Sequence, residues 1–282
     1  MMRKLTFIIS ILSFLIIPTL QAQTAAGLLS KMLDAINNCR TSKYVADVVE
    51  RIDGKLAASE MIIKVKTNPF SVYTYSINPD PGAEALFVRG ENSNELLVNP
   101  KKFPYVNINM SPFNSLIRKG HHHTIYEVGF GFMGEVISYN INHREKEFYE
   151  GLTYDGEADY KGKSYYKLSI NNPSFGYIDY TVQQGENLYI IGRKFYISDY
   201  MILSINKNMN DFNDVKPGQV IKIPSTYAKK FELYIDKTNY LPVVQIIYDD
   251  KGLFGQYEYN SLIVNPVFAP DEFTSKFKDY KF

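Results

Sequence analysis

Residues 180–224 read as one complete small unit, and strand-forming sequence lies on both sides of it. Tyr180 and Val182 alternate as in a short strand. Gly185-Glu186-Asn187 turns the chain into a helix whose apolar positions are Leu188, Ile191 and Phe195. Ser198 is placed as the N-cap of a second helix carrying Met201, Ile202 and Ile205. Lys216-Pro217-Gly218-Gln219 is turn chemistry, and residues 220–223 form a closing strand. The order is β-α-α-β.

Before this unit, Leu28, Leu29, Met32, Leu33 and Ile36 fall on one helical stripe. Strand-like runs follow at 44–52, 56–66, 70–77, 85–89 and 95–98, with Asp53-Gly54 as a hairpin turn. From Thr124 the spacing of Ile125, Val128, Phe132 and Val136 predicts a helix, which Gly129, Gly131 and Gly134 weaken by about 1 kcal/mol each. Further strands are expected at 148–154, with an Asp155-Gly156 turn, and at 165–170. Beyond the unit, strand pattern continues at 231–235, 243–248 and 254–264. The piece after Pro224 is too short to bury a good core alone. The unit is therefore read as inserted into one connection of a single antiparallel sheet, with three domains in series as the alternative.

The N-terminus has the pattern of a secretory signal: Arg3 and Lys4, an uncharged apolar run over 5–17, then small residues. The run is short of the roughly 20 residues that a membrane span needs. Cleavage is expected after Ala22, or else after Ala25 or Ala26, and no cysteine stands there to take a lipid. The net charge of +1 argues against nucleic acid or an anionic membrane surface as the main partner. Cys39 is the only cysteine, so no intramolecular disulfide can form. With 23 Tyr, 18 Phe and no Trp, the composition favours strands.

Catalytic chemistry is sparse. His121-His122-His123 reads as a polar loop before a helix. Alternation lets at most two of these side chains share a face, where Glu127 could join them. No catalytic motif surrounds Cys39, and no phosphate loop or serine elbow is present. No catalytic residue, metal or cofactor is expected.

The landmarks Tyr-Thr-Val at 180–182, Gly-Glu-Asn-Leu at 185–188, Asn206, the Lys-Pro-Gly-Gln turn and the final Ile-Pro resemble the LysM module over its full length. The resemblance implies binding of glycans that contain N-acetylglucosamine, chiefly peptidoglycan or chitin. It places the sugar in a shallow groove between two loops. Here those are Gly185, Glu186, Asn187, Leu188 and Tyr189, then Met209, Asn210, Asp211 and Phe212. Glu186-Asn187 departs from the usual Asp-Thr. Asn206 is expected to brace the fold. One module binds weakly, so firm retention needs a second contact.

The flanking segments resemble the lipoprotein-carrier, LolA-like half barrels. The resemblance rests on the N-terminal helix, the strand meander, Leu233-Tyr234-Ile235-Asp236 followed by Asn239-Tyr240-Leu241-Pro242, and the exit from Leu262 to Phe273. The combination with LysM also resembles an uncharacterised family of secreted envelope proteins of Gram-negative bacteria. The implied fold is α+β: a curved antiparallel half-barrel sheet covered by helices, with a small inserted βααβ LysM domain. The implied domains are a signal peptide at 1–22, a discontinuous half barrel at 23–178 and 226–282, and LysM at 179–225. A strongly curved sheet cannot fill its concave face with its own side chains. Met61, Ile63, Val72, Leu96 and Val244 are candidate lining positions, with ordinary core as the plainer reading. The expected protein is a non-catalytic, periplasmic peptidoglycan binder whose half barrel takes a lipid, a lipoprotein segment or another protein. A wall hydrolase or amidase and a purely structural module are the alternatives.

Overall fold

A computed structural model describes residues 24–103, 105–118 and 120–282. The leader expected over 1–22 lies outside them.

Helix α1 (Ala25–Asn38) opens under the Thr24 hydroxyl, which accepts from the Gly27 N–H, and buries Leu28, Leu29, Met32 and Ile36. Strands β1 (Thr41–Ile52), β2 (Lys55–Thr67), β3 (Phe70–Asn78), β4 (Glu84–Val88), β5 (Leu96–Asn99) and β6 (Ile108–Met110) form a meander of antiparallel neighbours. The β1–β2 turn places Asp53 and Gly54 at φ +49° and +79°, the left-handed pair that a two-residue hairpin demands.

The next segment differs from the sequence expectation. After the short helix α2 (Ser115–Arg118), Thr124 starts only one 3₁₀ turn, Ile125–Glu127. Gly129, at φ +95°, then breaks the helical path, and helix α3 runs over Gly131–Gly151. It takes in residues 148–151, which the sequence pattern assigns to a strand. Strand β7 (Leu152–Tyr160) begins only there, and β8 (Lys163–Asn171) follows. Asp155-Gly156 is a bulge inside β7, where the register with β8 shifts, and the turn itself lies at Lys161-Gly162.

Strand β9 (Tyr177–Thr181), helices α4 (Leu188–Phe195) and α5 (Asp199–Ile205), and strand β10 (Val220–Pro224) make the β-α-α-β unit. The Asn187 and Ser198 side chains cap its helices, accepting from the Ile190 and Met201 N–H groups. Among the described residues, strands β9 and β10 pair only with each other. Asn206 ties α5 to β10: its amide donates to the Ile202 and Lys222 carbonyls, and its oxygen accepts from the Lys222 N–H.

Strands β11 (Lys230–Ile235), β12 (Pro242–Asp249) and β13 (Gly252–Val264) return to the large sheet. Its order is β6-β5-β4-β3-β2-β1-β13-β12-β11-β8-β7, an open, curved, antiparallel sheet of eleven strands. Strand β8 therefore lies beside β11, and β1 beside β13. Helices α1 and α3 pack together over the β7–β8 end of one face. On the opposite face the C-terminal tail lays Phe273, Phe277, Tyr280 and Phe282 over Tyr73 and Leu86. Tyr280 stacks on Tyr73 at 3.7 Å between ring centroids. Among the described residues, no helix is long and apolar enough to cross a membrane.

Candidate functional site

A cavity of about 540 Å3 lies between the helix-bearing face of the sheet and the segment from Leu116 to Val136. That volume is within the range of small-molecule pockets, roughly 300–1,000 Å3. Its origin is visible in the strands. Alternation sends Tyr44, Ala46, Val48 and Glu50 of β1 to the same face. Their neighbours on that face include Met61 and Ile63 of β2 and Ala85 of β4. Alanine at 46, 57 and 85 on this face leaves space that larger side chains would fill. Of the five expected lining positions, Met61, Ile63 and Leu96 border the cavity. Val72 and Val244 are instead buried in the packed core, as ordinary strand residues.

One wall is polar. Glu50 is 4% exposed and accepts a 2.7 Å hydrogen bond from the Tyr257 hydroxyl. His121 Nδ1 lies 3.9 Å from Glu50 Oε2, and His122 Nδ1 lies 3.8 Å from Oε1. His123 has Glu127 Oε2 at 3.4 Å from Nδ1 and the Tyr227 hydroxyl at 3.2 Å from Nε2. The Thr124 N–H donates to the same Glu127 oxygen at 2.9 Å. The histidine run lies in a loop, as expected, but this loop packs into the protein and supplies part of the cavity wall. His121 and His123 border the cavity, whereas His122 stacks between Tyr200 and Phe254 at 4.6 and 4.0 Å.

Burial dominates the electrostatics of His122 and pulls its pKa down to about 4, against weaker raising by Glu50 and the Arg51 carbonyl. Burial also pulls on His123, but the hydrogen bond and charge of Glu127, with Glu50 and Asp199, outweigh it and raise the pKa. Glu127 is moved down in turn: burial raises it, and His123, the Thr124 N–H and Arg118 together overcome that. Among the described residues, no group of three or more His, Cys, Asp and Glu side chains is arranged to hold a metal ion. Cys39 is buried at the end of α1, its sulfur facing the Thr41 carbonyl, and burial pushes its thiol pKa up.

The two loops of the β-α-α-β unit do come together. The Leu188 N–H donates to the Phe212 carbonyl at 2.9 Å, and the Asn187 amide to Asn213 at 3.0 Å. Gly185, Asn210 and Asp211 are exposed, and Glu186, Asn187 and Tyr189 are half-buried. Asn210 is held by Asp214, through both its backbone and side-chain N–H groups. The Glu186 carboxylate is engaged by Tyr180, the Gln183 N–H and Lys194, so it braces the turn. Leu188 is fully buried and belongs to the core of the unit rather than to the floor of a groove. Met209 and Phe212 are also buried. Phe212 lies 3.9 Å beneath the Arg118 guanidinium, and Tyr189 packs against Phe113 at 4.7 Å.

These last contacts join the unit to the segment that roofs the cavity. Arg118 donates to both carboxylate oxygens of Asp199, at 2.9 Å each. The Tyr200 hydroxyl accepts from the Asp53 N–H at the β1–β2 turn.

Sequence reasoning missed Glu50, Tyr227 and Tyr257 in the cavity, and Arg118 and Asp199 at the joint. Glu50 did carry a signal: it continues the Tyr44, Ala46, Val48 phase of β1, a charge on a core-facing register. The tyrosines carried none among 23.

Residues 43–179 match the family described as "Protein of unknown function (DUF1571)", and residues 180–224 match the LysM domain. Neither description names an enzyme. No curated protein matches the chain. Among solved structures, LprF from Mycobacterium bovis aligns with a TM-score of 0.42 at 14% identity, covering 88% of this chain and 96% of LprF. The Mycobacterium tuberculosis lipoprotein LppX aligns at 0.39 and 13% identity, covering 86% of this chain and 97% of its own. A LolA superfamily protein from Nitrosomonas europaea aligns at 0.32 and 11% identity, covering 88% and 96%.

Proposed function

For a chain that carries a LysM domain beside a DUF1571 region, we propose a non-catalytic envelope protein with two ligands. The LysM domain binds a glycan containing N-acetylglucosamine, with peptidoglycan as the intended polymer. The half barrel holds the apolar part of a lipid or of a lipoprotein. In this reading the host domain is discontinuous, 23–178 and 226–282, with LysM at 179–225. A leader at 1–22 sends the chain across the inner membrane to the periplasm.

The LysM match is the observation that carries the glycan claim. Of the nine residues in the two loops, Gly185, Asn187, Asn210 and Asp211 offer their edges to a sugar, with Met209 beneath. Glu186 and Leu188 hold the loop in shape, and Tyr189 and Phe212 brace it against the host. The apolar cavity supports the lipid claim, because its alanine-lined face leaves room that the chain does not fill itself.

Co-sedimentation with insoluble peptidoglycan tests the first claim. The intact chain should sediment, and a Gly185→Ala, Asn210→Ala double variant of unchanged fold should remain in solution. An intact chain that stays in the supernatant overturns the glycan claim. Solvent extraction of protein purified from its own host, followed by mass spectrometry, tests the second. Stoichiometric acyl species are expected, and their absence removes the lipid claim.

A further inference from the structure

We propose that Glu50 is the receptor for the ammonium head of an amphiphile whose tail lies in the apolar part of the cavity. The inference rests on the reading of that cavity as an amphiphile site and names the chemistry of its ligand.

A buried carboxylate is costly unless a cation or several donors face it. Glu127 has His123 at 3.4 Å and the Thr124 N–H at 2.9 Å. Glu50 is as deeply buried, yet among the described residues its one hydrogen bond comes from the neutral Tyr257 hydroxyl. His121 and His122 stand at 3.9 and 3.8 Å, beyond hydrogen-bond distance. The nearby guanidinium groups are committed elsewhere, Arg51 to Asp249 and Arg118 to Asp199.

A second carboxylate, Glu127, borders the same cavity. Ionised carboxylate oxygens only accept, and an ammonium group offers three donors and a positive charge. An anionic head would instead meet Glu50 and Glu127 together. The rest of the wall, with Met61, Ile63, Leu96 and Ile125, suits a hydrocarbon chain.

Titration calorimetry of the full chain with dodecylammonium, dodecanol and dodecanoate, each below its micelle threshold at neutral pH, tests the proposal. The ammonium should bind about tenfold or more tighter than the carboxylate, the size of one hydrogen bond to a charged group. Glu50→Gln should bring the two close to equal while dodecanol affinity is kept. Dodecanoate binding as tightly as dodecylammonium overturns the proposal, as does a preference that survives Glu50→Gln. Absence of binding by all three, the alcohol included, overturns the cavity reading and this inference with it. Where Glu50→Gln fails to fold, Glu50→Asp takes its place: drawing the carboxylate back should weaken the ammonium and leave dodecanol unchanged, and an unweakened ammonium overturns the assignment to Glu50.

Discussion

Arg118 and Asp199 form a two-pronged ion pair at the joint between the cavity roof and the LysM unit, with side chains only 1% and 4% exposed. The same guanidinium covers Phe212. Removing one member leaves the other buried without its partner. Arg118→Ala should cost about 3–5 kcal/mol of stability. Arg118→Met combined with Asp199→Leu should recover much of that loss. Chemical denaturation of the three proteins checks this, and a double variant no better than the single would show that charge is not the cause.

Gly255 and Tyr257 stand on the same face of β13, with the tyrosine ring folded over the glycine. A Cβ at position 255 would lie 2.9 Å from the Tyr257 hydroxyl oxygen and 3.0 Å from its ring. The absent side chain is what lets Tyr257 reach Glu50, which sits opposite Gly255 in the β1–β13 register. Gly255→Ala should destabilise by about 1–3 kcal/mol, as overpacking does. In a Tyr257→Leu background the same change should be close to neutral, because the obstructing ring is gone. Equal costs in both backgrounds would place the strain elsewhere.

His122 should make the fold sensitive to acid. Its folded pKa, about 4, is below the ordinary 6.5, so the unfolded chain takes the proton first as pH falls. The stability it contributes is complete above about pH 6.5 and is lost as pH falls toward about 4. His123, whose pKa is raised, works in the opposite sense: its contribution is present at low pH and is lost as pH rises through the folded value. Relative to a His122→Phe variant, the native chain should lose about 2 kcal/mol more between pH 7 and pH 5. Urea unfolding at the two pH values measures it, and parallel losses in the two proteins would contradict the assignment.

The sequence pattern reached the strands because period-two alternation and turn dipeptides are local properties. It failed where one local signal serves two structures. Asp155-Gly156 supplies a left-handed glycine, at φ +90°, equally to a hairpin turn and to a bulge. Only the continuation of β7 to Tyr160 separates the two. Thr124 with Glu127 has the spacing of a helix start, and Gly129 then diverts the chain. Part of the cavity was legible, through Met61, Ile63 and Leu96 and, though passed over, the charge of Glu50 on a core-facing register. Its tyrosine partners were not. Tyr227 lies outside the regular elements and Tyr257 on a strand far along the chain, and only the β1–β13 pairing and the folded roof bring them to the histidines.

That pairing also orders events in time. Strand β1 has one neighbour close by in sequence, β2, and another, β13, about 200 residues later. During synthesis the first strand keeps an open edge until residue 264 exists, whereas the LysM unit has both of its strands by residue 224. The β-α-α-β unit can therefore close on itself while the large sheet is still unfinished. The Glu50–Tyr257 wall of the cavity is among the last features that the growing chain can assemble.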